Sequence, residues 1–153
     1  MSIRRRNKPL DLDSFLPYRL DILAEGVSRA LSRIYKEQYG LEVPEWRVLA
    51  HLGQFAPITA RDIAAHSRMH KTKVSRAVAA LESLGFVERS AATGDRRAEL
   101  LSLTPKGRAA YDDLAPRAAA FVAELLKGFS TAERLALDAL IGRLLVKLER
   151  VSG

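Results

Sequence analysis

Lys71, Lys73 and Arg76 fall within a stretch of six residues, with Thr72 and Ser75 between them. All five side chains donate hydrogen bonds and three are cationic, a set suited to phosphate oxygens and to the edges of bases in a DNA groove. Arg76 has the forked donor geometry for bidentate contact with guanine; Lys71, Lys73 and the hydroxyls of Thr72 and Ser75 fit phosphates better. A second basic group follows in "TGDRRAEL", where Asp95, Arg96 and Arg97 lie at or beside a turn. An arginine on a narrow protrusion suits the minor groove, whose narrow A·T-rich segments carry enhanced negative potential. Asp95 would repel DNA unless its charge is engaged, so its expected job is to pair with a nearby arginine and orient it.

Other chemistries find little support. The chain has no cysteine, which excludes disulfides, thiol nucleophiles, thiolate metal sites and thiol-based redox sensing. It has no glycine-rich phosphate loop, no carboxylates clustered around a histidine and no nucleophile motif, so no catalytic residue and no cofactor is expected. His66 and His70 have the i, i+4 spacing that suits a metal on one continuous helix, but a turn is expected between them; His51 is the only other histidine, and no metal site is expected.

Charge is unevenly distributed along the 153 residues, whose formal net charge is +7. Residues 1–8 hold four cations and no anion, residues 9–58 five against seven, residues 59–108 ten against five, and residues 109–153 six against six. The excess sits in a short arm and one central segment, the footprint of a polyanion-binding surface. The opening "MSIRRRNKPLDL" lacks the apolar run of a secretory signal. No window approaches the ~18 consecutive apolar residues of a membrane span. A soluble, cytoplasmic protein without membrane contact is expected.

The elements that hold these residues follow from periodicity. Leu16, Leu20, Leu23, Val27, Leu31 and Ile34 mark one face of a helix over about 15–39, with Asp13 or Ser14 as its cap, Pro17 in its first turn and Gly40 at its end. A second helix opens at Pro44 and stops before Pro57. Thr59 and Asp62 have capping-box spacing for a short third helix ending near His66 or Ser67. After a turn of a few residues, Val74, Ala77, Val78, Leu81 and Leu84 fit a fourth helix of about fourteen residues closed by Gly85. "FVERS" and "ELLSL" read as strands joined through "AATGDRRA", with a Gly-Asp turn signal. Thr104 and Pro105 start a fifth helix to about Lys127, which Pro116 is expected to bend. Ser130 and Glu133 cap a last helix carrying Leu137, Leu140, Ile141, Leu144, Leu145, Leu148 and Val151.

The order α-α-α-α-β-β-α-α predicts a mainly α fold with a small β-hairpin wing: a winged helix-turn-helix flanked by N- and C-terminal dimerisation helices. The expected boundaries are a basic arm at 1–12 and a single domain at 13–153, with the winged helix-turn-helix at about 44–104 and dimerisation helices at about 14–39 and 105–151. The wide apolar stripe on the last helix favours a homodimer, since a helix-turn-helix monomer covers too little DNA for strong specificity.

Three stretches carry a family resemblance. "GDRRAELLSLTPKG" is similar to the wing of the MarR (multiple antibiotic resistance regulator) family, "PEWRVLAHL" to its second helix, and "ARDIAAHSRMHKTKVSRAVAALESLGFVER" to its helix-turn-helix. The resemblance covers roughly Leu16 to Val151. It implies a homodimeric transcriptional regulator of double-stranded DNA, usually a repressor released by a small-molecule effector, with Arg97 as the minor-groove residue and Asp95 as its support. It also implies an effector site between the dimerisation helices and the DNA-binding lobe, near Tyr18, Arg19, Trp46, Arg47 and His51, a lining suited to an aromatic acid or its thioester. His70 departs from the pattern, standing where relatives often have Asp or Ser as a helix cap; as a poor capping residue it leaves the helix start less stable, or approaches a phosphate. The arm "RRRNK" is not part of the shared pattern. A protein that coats DNA without an effector would have the same basic surface and no pocket.

Overall fold

The structure, a computed structural model, describes residues 8–152, the side chains of Asp95, Arg96 and Arg97 excepted. Most of the arm, up to Asn7, therefore lies outside the described residues. The chain forms α1 (Leu16–Tyr39), α2 (Val43–Phe55), β1 (Ile58–Thr59), α3 (Ala60–Ser67), α4 (Lys71–Ser83), β2 (Val87–Ala92), β3 (Asp95–Leu103), α5 (Pro105–Leu125) and α6 (Thr131–Val151). It divides into two compact units, one up to Ala115 and one from Pro116 onward. Among the described residues, no helix is long and apolar enough to cross a membrane.

The mainly α winged-helix architecture is the expected one, with a further strand. Residues 58–59 form β1 and pair antiparallel with β3, giving a three-stranded sheet in the order β1-β3-β2. Two residues are too short to show the period-2 alternation by which a strand is read from sequence. Ile58 opposite Leu101 puts this strip on the core, where both side chains are buried.

The caps hold with one correction. Neither Asp13 nor Ser14 caps α1: Phe15 is the N-cap residue without a side-chain bond, and the Ser14 hydroxyl donates backward to the Asp11 carboxylate at 2.9 Å. Pro17 in the first turn lacks one of the N–H groups a cap would otherwise have to satisfy. At the other end Gly40 takes the left-handed conformation, φ 65°, that favours glycine. α2 opens one residue before Pro44, on a Glu42–Glu45 capping box. Thr59 caps α3 by accepting from the Asp62 N–H at 3.1 Å. Ser130 and Glu133 form the capping box that starts α6.

In the first unit, one face of each helix meets at a common core. Tyr35 comes from α1, Val48, Leu49 and Leu52 from α2, Ile63 from α3, Val74, Ala77, Val78 and Leu81 from α4, Leu101 from the sheet, and Ala110 and Leu114 from α5; all are buried. The exit from α4 is tightly specified. Gly85 at φ 75° closes it, with Gly85 N–H donating to the Glu82 carbonyl and Phe86 N–H to the Leu81 carbonyl, both at 2.9 Å. The Thr104 hydroxyl accepts from the Gly107 N–H at 3.0 Å and donates to the Gly85 carbonyl, so one side chain caps α5 and ties it to the end of α4.

In the second unit, Arg134 of α6 donates to the carbonyls of Leu126 and Phe129, at 2.7 and 3.2 Å, occupying acceptors left open where α5 ends. No residue of α6 is buried.

A methyl group on Gly107 would lie 2.0 Å from the Phe86 carbonyl oxygen, a backbone atom that has no room to move. Gly107→Ala is expected to destabilise the protein by about 1–3 kcal/mol, read as a lowered urea midpoint with an unchanged slope.

Candidate nucleic-acid interface

Packing fixes the rotation of α4. With Val74, Ala77, Val78 and Leu81 buried, Lys71, Thr72, Lys73, Ser75 and Arg76 are all exposed on the opposite face. Among the described residues none of Lys71, Lys73 and Arg76 is in an ion pair, so their charge is available to an outside anion. Three residues separate α3 from α4, and the first, Arg68, takes the left-handed conformation at φ 55°. The Met69 N–H donates to the Ser67 hydroxyl across this turn.

His70 behaves otherwise than expected of a poor capping residue. It is the N-cap of α4, and its Nδ1 accepts from the Thr72 N–H at 3.2 Å. The ring nitrogen must be unprotonated to accept, so this cap is made by neutral histidine. The turn also keeps His66, on α3, off the face of α4. Among the described residues no group of three or more His, Cys, Asp or Glu side chains could hold a metal ion.

The wing is longer than its sequence suggests. β2 runs to Ala92 and β3 starts at Asp95, so Thr93 and Gly94 form the tip, Gly94 at φ 91°. Asp95, Arg96 and Arg97 thus open β3 rather than sit in the turn; their side chains, and the expected Asp95–arginine pair, lie outside the described residues. The register runs regularly from Val87 opposite Leu103 to Ala91 opposite Glu99, then breaks, with Ala92 opposite Asp95. The stretch 96–98 therefore bulges out of the ladder, and bulges re-aim side chains.

Arg89 was read only as part of a strand, yet it sits at the junction of helix and wing. Its Nε donates to the Glu82 carboxylate at 2.9 Å and its guanidinium NH1 to Glu99 at 2.8 Å. The bonds from Glu82 and then Glu99 hold its guanidinium above the usual arginine range. Strand alternation carried the signal: Arg89 lies two residues after buried Val87, on the same face of β2. A cleft of about 770 Å³ opens beside it, lined among others by Arg61, Asp62 and Glu99.

The residues expected near an effector are distributed over three places. Trp46 and Arg47 line a groove of about 500 Å³ between α1 and α2, together with Leu20, Leu23, Val27, Leu31 and Tyr35. Tyr18 and Arg19 lie with Asp13 and Ile22 at a shallower hollow on α1. His51 turns elsewhere, its Nδ1–H donating to the Arg47 carbonyl at 2.7 Å and its ring packing near Phe55. The groove adds a residue absent from the expected set: Tyr35, buried and stacked on Trp46 at 5.4 Å between ring centroids. It continues the α1 stripe four residues after Leu31. Arg47 also lines a recess with Arg68, His70 and Lys73, beside the start of α4.

A MarR-family sequence profile matches residues 39–98, the span from the end of α1 through the wing arginines. The chain carries a MarR-family domain. Over 104 residues it is 29% identical to YwoH, an uncharacterised HTH-type transcriptional regulator of Bacillus subtilis, covering 68% of this chain and 75% of that one. A MarR/EmrR family transcriptional regulator from Acinetobacter sp. ADP1 superposes with a TM-score of 0.83 at 25% identity, over 92% of this chain and 99% of that one. BpsR of Bordetella bronchiseptica, whose DNA binding is regulated by 6-hydroxynicotinic acid, shares the fold at a TM-score of 0.79 and 20% identity, over 90% and 97% of the two chains. The MarR-family domain makes this protein a DNA-binding transcriptional regulator of winged-helix type, and its exposed α4 and wing are the parts available to DNA.

Burial pushes the Tyr35 phenol above its ordinary pKa of 10.0, while the Arg47 cation pulls the other way. A pKa higher in the folded than in the unfolded state means the folded protein holds that proton more tightly. The contribution is therefore intact below pH ~10 and lost as pH rises through the folded-state value. Tyr35→Phe should flatten the alkaline fall in unfolding free energy measured by urea titration across that range.

Proposed function

We infer that this regulator is a homodimeric, cytoplasmic repressor that reads a pseudo-palindromic operator and is released by a small aromatic acid or thioester. The observation that carries the reading is the exposed, unpaired set Lys71, Lys73 and Arg76 on a helix whose other face is locked into the core. Arg76 reads a base edge in the major groove, while Lys71, Lys73, Thr72 and Ser75 hold phosphates. Arg96 or Arg97 reaches the adjacent minor groove, Arg97 by family likeness, with Asp95 as its support.

Dimerisation rests on the apolar surface of α6. Leu137, Leu140, Ile141, Leu144 and Leu148 are all more than a third exposed, an uninterrupted stripe of the kind that marks a protein interface. Two copies would read half-sites one helical turn apart, ~10–10.5 bp centre to centre.

The effector reading rests on the α1/α2 groove, which has the volume of a small-ligand site, stacked aromatic rings and one cation to hold a carboxylate. The regulation of BpsR by 6-hydroxynicotinic acid is a precedent on this fold for an aromatic acid acting on DNA binding. Arg47 lines both the groove and the recess beside α4, a direct way for a bound carboxylate to be felt at the DNA face.

Arg76→Ala should relax base preference at one operator position, at about 1–3 kcal/mol, whereas Lys73→Ala should weaken all sequences alike and lower the salt slope by about one. Binding-site selection that returns the same motif from the Arg76 variant at the same strength would remove Arg76 as a reader. Leu140→Asp with Leu144→Asp should leave the monomer folded and abolish the dimer in light scattering; a persisting dimer would move the interface away from α6.

A further inference from the structure

We propose that Arg89, clamped between Glu82 and Glu99, is a positioning residue that sets the wing at the angle needed for α4 and the wing to engage adjacent grooves together. The proposal rests on the DNA-binding reading and goes beyond its contact residues.

The three side chains come from three elements. Glu82 is in the last turn of α4, Arg89 on β2 and Glu99 on β3. One guanidinium spans both carboxylates through different nitrogens, Nε at 2.9 Å and NH1 at 2.8 Å. Glu99 stands opposite Ala91, the last regular pair before the register breaks into the bulge that carries Arg96 and Arg97. The clamp thus grips the wing immediately below the part that must reach DNA and ties it to the helix that must enter the neighbouring groove. The backbone beyond Ala91 leaves the regular ladder, so the clamp is the last side-chain brace before the tip.

The charges argue for geometry rather than for attraction. Glu82 and Glu99 are two anions on a face otherwise built to approach a polyanion, and removing them should favour DNA on charge alone. Arg89 has both its bonding edges committed to carboxylates, which makes it a poor phosphate ligand. All three side chains are more than a third exposed, and ion pairs so exposed contribute little to overall stability. What a forked guanidinium between two carboxylates supplies is direction, which a lysine cannot reproduce.

Glu82→Gln with Glu99→Gln, and separately Arg89→Lys, test this in the full-length protein. Affinity for the selected operator and for scrambled DNA, the slope of affinity against salt, and thermal melting would be measured together. The clamp predicts that both variants lose operator affinity by about tenfold or more, comparable to losing one groove contact, while melting hardly changes. Arg89→Lys should keep both its scrambled-DNA affinity and its salt slope. The double glutamine variant should bind scrambled DNA as tightly as the parent or more tightly, so its two affinities move in opposite directions. Operator affinity that is unchanged or increased in the double variant overturns the proposal. So does an Arg89→Lys variant that binds the operator like the parent. A parent protein that fails to prefer its operator would instead overturn the reading on which the clamp depends.

Discussion

The burial of one face of α4 is the constraint from which the rest follows. Val74, Ala77, Val78 and Leu81 pack into the common core, which fixes the helix in rotation, and a helix of 3.6 residues per turn then has no choice about where Lys71, Lys73 and Arg76 point. The same stripe fixes the helix along its axis. Leu81 also accepts the Phe86 N–H through its carbonyl, so the chain leaves α4 in one direction only, toward β2. Gly107 presses on the Phe86 backbone from α5 and the Thr104 hydroxyl bridges to Gly85, so the base of the wing is held from behind as well. The DNA-facing residues are thus displayed by packing that has nothing to do with DNA.

On this frame the charge is divided into two kinds. The cations of α4 have no anion beside them among the described residues and remain available to phosphates. Arg89, only a few residues on, is fully engaged by two carboxylates and does structural work between helix and wing. Arg47 stands between the two situations, exposed at the edge of an apolar groove and next to the basic recess at the start of α4. An anion placed in that groove would act on the residue closest to the recognition surface without needing a long path through the core.

Much of this was legible in the sequence where a pattern repeats. Six helices could be placed from apolar spacing and punctuation, since Gly40, Gly85, Pro105 and the Ser130–Glu133 box each mark an end by a local rule. The outward face of α4 followed from the inward one. The failures have local causes. β1 is two residues long and leaves no period to detect, and its existence depends on β3, more than forty residues away. Ser14 had the chemistry of a cap but spent its hydroxyl on Asp11. His70 was discounted on general propensity, yet its backbone geometry lets Nδ1 reach the Thr72 N–H. The effector set was gathered from family likeness, and the fold separates it, leaving Trp46 and Arg47 together, adding Tyr35 and turning His51 away. The Arg89 clamp joins residues seven and ten positions apart in three elements, a coincidence that only tertiary structure reveals.

The central claim is that α4 and the wing recognise a DNA sequence and not merely a polyanion. The most direct measurement is fluorescence anisotropy of the unmodified protein, at physiological salt, on an operator recovered by selection from random duplexes and on the same duplex scrambled. The account predicts an operator affinity tighter by about a thousandfold or more, the range of specific over non-specific binding. Equal affinities for the two duplexes, falling together with salt, would contradict it.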